Sequence, residues 1–362
     1  MAKKEAVKVE KVSDNKESLA QLELAKKAMI KKYGTVVSTL AEHDDIIVPT
    51  ISTGCLSLDL ALGNGGMARG RIYETFGPES SGKTTLAMHV LIQAQRRKLG
   101  TLFVDAEHAA DPTLFESYGA DINNLDLVQG YDGESNLEIL EKFIRTGAYA
   151  IAVVDSVAAL VPRDEAEADI DKDSVALQAR LMSKALRKIT PVANQTGTTV
   201  IFVNQLRHKV MTMGNPETTT GGESLAFYAT GRISVRGPES KARRLVDGIS
   251  GEPYGHKSVF EIVKNKLAAP YKKAEIKLIY GQGYDTHWEI LDLAASLGIV
   301  DKTGAWYKFD GKNFAQGEQN AANYFRAEEN REFYKQIKQE VLEQTGLKEI
   351  YERHSSPGLL DS

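Results

Sequence analysis

Apolar β-rich runs alternate with helical stretches between about residues 45 and 280. The clearest four runs are RIYETF (71–76), TLFVDA (101–106), AIAVVD (150–155) and TVIFVN (199–204). Further β-rich runs follow near 230–236, 257–263 and 274–280. This alternation predicts an α/β core in which a mainly parallel, doubly wound sheet carries crossover helices. Ligands bind at the carboxyl ends of such strands, where the connecting loops begin.

The two ends of the chain show different patterns. Residues 1–17 are polar and are expected to be disordered. Apolar residues then recur at helical spacing to Tyr33, which predicts an amphipathic helix that docks on its own core or on a neighbouring molecule. Its apolar positions are Leu19, Leu22, Ala25, Met29 and Ile30. After Gly281, helical patterns and the turn-like DGKN (310–313) predict a small α-rich domain of the α+β class.

These patterns divide the chain into four predicted parts. They are an N-terminal arm and helix (1–45), a core (46–284), a C-terminal domain (285–348) and a flexible tail (349–362).

Composition excludes several classes of protein. There is no run of about 18 apolar residues, so we expect no contact with the membrane interior. The charged N-terminus lacks the apolar region of a secretory signal, and the single cysteine, Cys55, excludes a disulfide framework. We therefore expect a cytoplasmic protein. Because the formal net charge is −4, any binding of nucleic acid requires basic groups gathered on one surface.

The segment GPESSGKT (77–84) matches the phosphate-binding loop pattern, and it stands between an apolar strand and a helical stretch. Its glycines let backbone N–H groups point at phosphate oxygens. Lys83 is expected to reach the β- and γ-phosphates, and Thr84 to ligate Mg²⁺. The candidate nucleotide-binding residues here are Gly77, Pro78, Glu79, Ser80, Ser81, Gly82, Lys83, Thr84 and Thr85. The motif predicts a nucleoside triphosphate site.

Acidic residues follow two of the strands. Asp155 ends AIAVVD, where an aspartate suits a second contact to Mg²⁺. Hydrolysis also requires a group that orients and deprotonates water near the γ-phosphate. Glu107, just past the second strand, is the candidate base, whereas Asp105 is expected to lie still within the strand. Asp111 precedes Pro112 as at a helix start, and it is a candidate neighbour of the nucleotide base.

The stretch 199–222 is the first candidate for nucleic-acid binding. Its strand is expected to end at Asn204–Gln205 and to open into a loop. Apolar side chains stand beside basic ones there, which suits phosphate contact together with insertion of an apolar side chain between bases. These residues are Arg207, Lys209, Val210, Met211 and Met213. Gly221 and Gly222 predict a mobile loop end, although an ordinary long surface loop is the alternative.

The stretch 163–187 is the second candidate. Its first part, RDEAEADIDKDS (163–174), is acidic and therefore unfavourable for phosphate contact. In the helix that follows, Arg180, Lys184 and Arg187 recur at i, i+4 and i+7 and form a basic stripe. The positions expected to pack inward are Leu181, Ala185 and Ile189. We favour phosphate contact by Arg180 and Arg187, although such a stripe is usually a solvated face.

Six segments resemble those of the bacterial RecA recombinase family, in the same order. They are TISTGCLSLDLALG, GPESSGKTTL, FVDAEHAADP, VVDSVAALVP, NPETTTGG and VKNKLAAP. The resemblance extends from about residue 47 to 282 and is weaker in the N-terminal helix and the C-terminal domain. It implies a RecA-type ATPase core that binds ATP and Mg²⁺. The roles given above to Lys83, Thr84, Glu107 and Asp155 agree with it.

The resemblance implies further roles that the residues do not reveal by themselves. Gln205 matches a residue that senses the γ-phosphate and couples it to the following loop, and Val175 matches a position that inserts an apolar side chain into DNA. Lys264 and Lys266, which could otherwise be exposed strand-edge lysines, match residues that reach the neighbouring subunit's ATP. Phe227 and the N-terminal helix match other elements of that interface.

The chain departs from the family pattern at three places. Leu114 stands where the family commonly has a tyrosine stacked on adenine, so base contact is expected to be more purely apolar. The segment KVMTMGNP is one residue shorter, which leaves the inserted residue open between Val210 and Met211. The C-terminal tail is less acidic than in some relatives, which puts in doubt whether the tail inhibits the rest of the protein.

The resemblance implies homologous recombination and DNA repair. A helical filament would form on single-stranded DNA, pair it with a homologous duplex and exchange strands, with DNA-dependent ATP hydrolysis. Loading or mediator proteins and an SOS-type repressor are further partners that the sequence leaves open, as it does a cellular or phage origin. A ring-forming helicase and a DNA-independent nucleotide switch or kinase are the competing classes, and the paired lysines argue against the second.

Overall fold

The computed structural model of the chain describes residues 16–34, 48–167, 175–208 and 217–354. The chain divides into two units, of which the second begins at Val48, and helix α1 (Lys16–Tyr33) belongs to the first. The N–H of the following residue, Gly34, donates to the Ile30 carbonyl across 2.9 Å, and the helix confirms the predicted N-terminal helix. Most of the segment expected to be disordered, residues 1–15, lies outside the described ranges. None of the described helices is long and apolar enough to cross a bilayer.

A large sheet lies at the centre of the second unit, preceded by the short antiparallel pair β1 (Thr50–Ile51) and β2 (Met67–Ala68). Its strands are β3 (Ile72–Gly77), β4 (Gly100–Asp105), β5 (Leu125–Val128), β6 (Tyr149–Asp155), β7 (Thr199–His208), β8 (Glu217–Thr219), β9 (Gly231–Arg236), β10 (Arg244–Val246), β11 (Pro253–Asn265), β12 (Lys273–Ile279) and β13 (Gly283–Tyr284). The pairing order is β13-β12-β11-β9-β3-β7-β6-β4-β5. The block from β9 to β5 is parallel, and β11 to β13 are added antiparallel at one side.

Helices cover both faces of this sheet because its central strands are apolar on both sides. In β6, Ile151 and Val153 belong to one buried cluster, whereas Ala152 and Val154 belong to another. The core helices are α2 (Leu56–Leu62), α3 (Lys83–Arg96), α4 (Pro112–Ser117), α5 (Gly133–Arg145), α6 (Arg163–Ala166), α7 (Val175–Thr196) and α8 (Ser224–Tyr228). The first cluster includes side chains of α2, α3 and α4, and the second includes those of α5, α7 and α8. The predicted α/β core is confirmed.

All seven predicted β-rich runs are strands, but one boundary was wrong. TVIFVN does not end at Asn204, because β7 continues to His208. Its extension pairs antiparallel with β8, where Leu206 lies opposite Thr219 and Arg207 opposite Thr218. The partner strand has only three residues, which is too short for hydrophobic patterning to reveal it.

A smaller α+β domain follows the sheet, as predicted. Its elements are α9 (Thr286–Ser296), β14 (Asp301–Thr303), β15 (Trp306–Phe309), β16 (Lys312–Gln316), α10 (Glu318–Arg326), α11 (Arg331–Gln344) and α12 (Leu347–His354). Trp288, Phe325 and Ile337 belong to its core. The turn predicted at DGKN is confirmed between β15 and β16, where Asp310 and Gly311 have φ values of 46° and 74°. The prediction gave the α+β class but did not locate the three short antiparallel strands.

Helix α12 packs back onto the core of the second unit. The Tyr351 hydroxyl donates to the Asp59 carboxylate across 2.6 Å. A Cβ on Gly65 would lie 2.5 Å from the Ile350 side chain, so the two elements are in close contact. Residues 349–354 are therefore packed helix, which corrects their assignment to a flexible tail, while residues 355–362 lie outside the described range.

Asp59 is a fully buried carboxyl group at this contact. Besides Tyr351, it accepts hydrogen bonds from Ser52 Oγ across 2.5 Å and from Thr53 N and Oγ1 across 2.8 and 2.7 Å. These donors favour the charged form, but burial outweighs them and raises the pKa of Asp59 to about 7. The native state therefore holds a proton that the unfolded chain releases above about pH 4. The free energy of unfolding must therefore fall as the pH rises from about 4 through the pKa of about 7 in the folded protein.

We expect this carboxyl group to give a measurable pH dependence. From about pH 5 to about pH 8, the free energy of unfolding should fall by about 2 kcal/mol more in the wild type than in Asp59→Asn. Burial also raises the pKa of Asp155 and Glu289, so the difference between the two curves isolates Asp59. Urea denaturation at stepped pH measures both curves. Parallel curves would show that Asp59 is already charged in the folded protein.

Candidate nucleotide and nucleic-acid sites

The carboxyl ends of four parallel strands meet at one edge of the sheet. Strand register places Gly77 of β3 opposite Gln205 of β7, and Asp105 of β4 opposite Asp155 of β6. The order β3-β7-β6-β4 brings the phosphate-binding loop and the candidate acidic residues to this edge. Open α/β sheets bind their ligands at such an edge.

The loop 77–84 curls tightly between β3 and α3. Ser80 and Gly82 have φ values of 58° and 98°, and a Cβ on Gly77 would lie 2.0 Å from the Val235 carbonyl oxygen. Helix α3 begins at Lys83, so the N–H groups of its first turn are available to an anion. Lys83 Nζ donates to the Pro78 carbonyl across 2.5 Å, and burial lowers the pKa of Lys83. The loop thus combines backbone donors with a partly desolvated cation, which suits phosphate.

Thr84 and Asp155 are in direct contact. Thr84 Oγ1 donates to Asp155 Oδ2 across 2.6 Å, and burial raises the pKa of Asp155 to about 6 against the effect of this bond. Mg²⁺ is usually held by one or two protein oxygens, with substrate phosphates and waters completing its octahedron. The hydroxyl and the carboxylate fit this donor set, and a bound cation would favour the charged form of Asp155.

Glu107 and Asp105 differ sharply in their surroundings. Asp105 is buried and accepts hydrogen bonds from Ala109 N, Ala110 N and Gln129 Nε2 across 3.2, 3.0 and 2.9 Å. Its carboxylate is therefore used to hold the loop after β4. Glu107 is exposed at the sheet edge and accepts from Ser156 Oγ and, across 3.4 Å, from Gln205 Nε2. Of the two carboxylates, only Glu107 is placed to act on a water molecule at this edge.

Asp111 begins α4, as predicted. Its Oδ1 accepts from Thr113 N across 2.9 Å, and Pro112 is the first helical residue. Leu114 in the same helix is 37% exposed, so its side chain is accessible to a ligand.

A buried polar network anchors the strand that carries Gln205. Asn204 Oδ1 accepts from Gln205 N across 2.9 Å, and its Nδ2 donates to Glu74 Oε1 and to the Thr220 carbonyl across 2.9 and 3.0 Å. The Thr220 hydroxyl also donates to Asn204 Oδ1. Glu74 is in turn paired with Arg232, whose Nε lies 2.5 Å from Glu74 Oε2. The position of Gln205 is therefore coupled to the residue that precedes the glycine pair.

The hairpin of β7 and β8 replaces the first part of the predicted loop. Arg207 is exposed, but it lies on β7 and not in a loop, because its backbone pairs with β8. Gly221 and Gly222 have φ values of 81° and 76°. Added Cβ atoms would meet Val157 at 2.8 Å and Ala179 at 2.9 Å, so the pair is packed near α7. Three candidate residues, Lys209, Val210 and Met211, lie outside the described residues, as does Met213.

Helix α7 has the two predicted faces. Arg180, Lys184 and Arg187 are exposed, whereas Leu181 and Ile189 are buried and Ala185 packs at the edge of the core. Because Ala179 lies against Gly222, the basic stripe begins beside the closing end of the hairpin. Val175 is the first residue of this helix, and residues 168–174 of the acidic segment lie outside the described residues.

The two lysines are brought together at the end of α8. Lys264 Nζ donates to the Ala226 and Phe227 carbonyls across 2.6 and 3.1 Å, and Lys266 Nζ donates to the Phe227 carbonyl across 3.2 Å. Burial, and then the neighbouring charges of Lys266 and Arg232, lower the pKa of Lys264. Phe227 itself is 70% exposed. Two adjacent cations beside an exposed aromatic ring favour a partner that carries negative charge.

Comparison with known proteins decides the family. Family models for the RecA N-terminal domain and the RecA C-terminal domain match residues 20–285 and 288–346. The chain belongs to the RecA family. Protein RecA of Desulforapulum autotrophicum is 49% identical over 301 residues, which are 83% of this chain and 84% of the relative. Protein RecA of Halalkalibacterium halodurans is 44% identical over 338 residues, which are 93% of this chain and 94% of the relative. Protein RecA of Bacillus subtilis is 44% identical over 330 residues, which are 91% of this chain and 92% of the relative.

The family identification and the RecA-type fold predicted from six sequence segments are therefore confirmed. Sequence reasoning nevertheless missed several residues of the candidate site. Ser156, which contacts Glu107, directly follows Asp155 in VVDS and could have been noticed there. Glu74 and Arg232 left no such signal, because a charged pair inside a sheet becomes visible only when β3 and β9 are known to be neighbours.

Proposed function

We propose that the protein is an ATP-dependent DNA recombinase that assembles on single-stranded DNA, pairs it with a homologous duplex and exchanges strands. The position of Gln205 carries this proposal. Its side chain contacts Glu107 at the nucleotide edge, while its strand continues into the β7–β8 hairpin with exposed Arg207. One strand therefore joins a nucleotide site to a candidate DNA-binding hairpin, so binding at one can bias the other.

The proposed cofactors are ATP and Mg²⁺. Loop 77–82 and Lys83 bind the phosphates, while Thr84 and Asp155 hold the cation, which neutralises charge on the phosphate oxygens. Glu107 accepts a proton from the attacking water, and Ser156 keeps its carboxylate in place.

The proposed DNA surface combines the β7–β8 hairpin with the basic stripe of α7. Arg180, Arg187 and Arg207 neutralise phosphates without reading sequence, which suits a protein that must accept any strand. Because these cations are concentrated on one surface, that surface can attract phosphates although the net charge of the chain is −4. Exchange replaces base pairs by like base pairs, so the protein has to lower the barrier by holding and extending the strands.

Copies of the chain are proposed to assemble head to tail. Lys264 and Lys266 would contact a triphosphate bound by the neighbouring copy, next to exposed Phe227. Helix α1, with Leu19 and Leu22 exposed, would dock on that neighbour. A contact between two different surfaces does not close on itself and generates a helical filament.

Electron microscopy of the full chain with ATP, Mg²⁺ and single-stranded DNA tests the proposal, together with a strand-exchange assay on a homologous duplex. We expect filaments and exchange, both dependent on ATP. Closed rings would favour the helicase class. Monomers that hydrolyse ATP at the same rate with and without DNA would favour a nucleotide switch or kinase, and either result would overturn the proposal.

Reversing the charge at Arg207 should weaken binding to single-stranded DNA and reduce its salt dependence. Each phosphate contact on a single strand contributes about 0.7 to the slope of log affinity against log salt. We expect Arg207→Glu to lower the slope by about that amount or more, measured by fluorescence anisotropy at several salt concentrations. Arg145→Glu, at an exposed arginine of α5 paired with Glu141, is the matched control. An unchanged slope in Arg207→Glu would place the hairpin away from DNA phosphates.

A further inference from the structure

Three aromatic rings form a stack beside helix α3. The His89 ring lies 3.9 Å from the Tyr284 ring with an angle of 7° between their planes, and 5.8 Å from the Tyr118 ring with an angle of 20°. His89 and Tyr284 are buried, whereas Tyr118 is half-buried. Tyr118 is therefore the end of the stack that reaches the surface.

The inner part of the stack is held in place. Tyr284 N donates to His89 Nε2 across 3.3 Å. Burial lowers the pKa of His89 to about 4, so the ring is neutral near pH 7 and its Nε2 can accept this bond. Gly283 has a φ value of 84°, and a Cβ there would lie 2.6 Å from His89 Nε2. The imidazole thus fits against the glycine backbone and supports Tyr118 from behind.

The outer ring lies next to the phosphate-binding loop. The Tyr118 hydroxyl lies close to the Thr85 hydroxyl, and Thr85 directly follows the candidate Mg²⁺ ligand Thr84. In a phosphate-binding loop the lysine reaches the β- and γ-phosphates, and the backbone N–H groups cradle the α- and β-phosphates at the helix start. Gln205 donates to Glu107 across 3.4 Å, and the proposed function places the γ-phosphate beside these two residues. In the proposed site the sugar and base of the nucleotide would extend past the first turn of α3, where Thr85 lies close to Tyr118.

We propose that the base of the bound nucleotide stacks on the outer face of Tyr118 and becomes the fourth ring of the stack. This inference rests on the proposed function, since it specifies how that site recognises a nucleoside. Aromatic rings stack favourably on bases in offset geometry, and a ring that is already fixed loses little freedom when the base arrives. Leu114, one helical turn earlier, would supply an apolar edge next to the same base. Tyr118 would then restore the aromatic contact that Leu114 cannot make.

Binding of Mg²⁺–ATP and of Mg²⁺–tripolyphosphate to the full chain, measured by calorimetry, tests this proposal. Tripolyphosphate has the phosphates but no base. We expect Tyr118→Leu to weaken ATP binding about tenfold and to leave tripolyphosphate binding unchanged. Tyr118→Phe, which keeps the ring and loses the hydroxyl, should bind both ligands as the wild type does. The control is Tyr131→Leu at a fully exposed tyrosine.

Each other outcome counts against the proposal. If Tyr118→Leu weakens both ligands equally, or neither, the base does not stack on this ring. If the wild type binds tripolyphosphate but gains no affinity from the base, the stacking proposal fails while the phosphate site stands. If the wild type binds neither ligand, the proposed function itself fails.

A second variant avoids dependence on the folding of Tyr118→Leu. In Tyr118→Trp the new indole should be quenched by ATP and not by tripolyphosphate, after subtraction of the wild-type signal from Trp288 and Trp306. A signal that responds equally to both ligands would show that the ring does not contact the base.

Discussion

Replacing Lys83 by alanine is expected to abolish ATP-dependent assembly on single-stranded DNA and to lower ATP affinity about 10²-fold or more. Lys83 is the one basic residue of GPESSGKT, and its amino group already lies within the curl of the loop, 2.5 Å from the Pro78 carbonyl. Burial lowers the pKa of Lys83 because it removes water from the charged amino group. Phosphate oxygens would stabilise that charged group in place of the water. Calorimetry gives the affinity, and electron microscopy shows assembly.

A matched control separates this effect from a general loss of charge. Lys335→Ala removes an exposed lysine of α11 that is paired with Glu332, and it should assemble normally. Circular dichroism checks that both variants are folded. Strand exchange at the wild-type rate in Lys83→Ala would mean that the triphosphate is not bound by this loop.

Replacing Glu107 by alanine is the second change with a large expected effect. ATP should still bind, but turnover should slow about 10²-fold or more, which is the usual loss when a general base is removed. The structure supports this role because Glu107 is exposed at the strand edge within reach of Gln205, whereas the Asp105 carboxylate is occupied by Ala109, Ala110 and Gln129. Single-turnover hydrolysis, with the protein in excess of ATP and concentrated enough to bind nearly all of it, measures the chemical step.

The comparison residue for this experiment is Glu116, an exposed carboxylate of the neighbouring helix α4. Glu116→Ala should hydrolyse ATP at the wild-type rate. Glu107→Gln should be as slow as Glu107→Ala, because it keeps a side chain able to contact Ser156 and Gln205 but cannot accept the proton. Rapid turnover in either Glu107 variant would assign the base to another group.

Much of the candidate nucleotide site at the sheet edge could be predicted, because its residues belong to short segments next to readable strands and helices. The loop 77–84 has to follow a strand and open a helix, and both neighbours are readable from apolar spacing. Asp155 and Glu107 come at or just after strand ends, and parallel strands necessarily present those ends at the same edge. The hairpin was harder to predict, since the extension of β7 to His208 depends on pairing with residues 217–219.

The sequence by itself determined the α/β core, the RecA-family identity and the residues of the phosphate-binding loop, because each depends on short segments whose meaning does not change with their surroundings. Only the tertiary structure distinguished the occupied Asp105 from the accessible Glu107, and only it tied Asn204 to Glu74 and Thr220. Only the tertiary structure likewise showed that the rings of Tyr118, His89 and Tyr284 stack, and that α12 packs against Asp59. Their partners lie on different strands and helices, so burial, hydrogen bonding and pKa at these residues are properties of the folded arrangement.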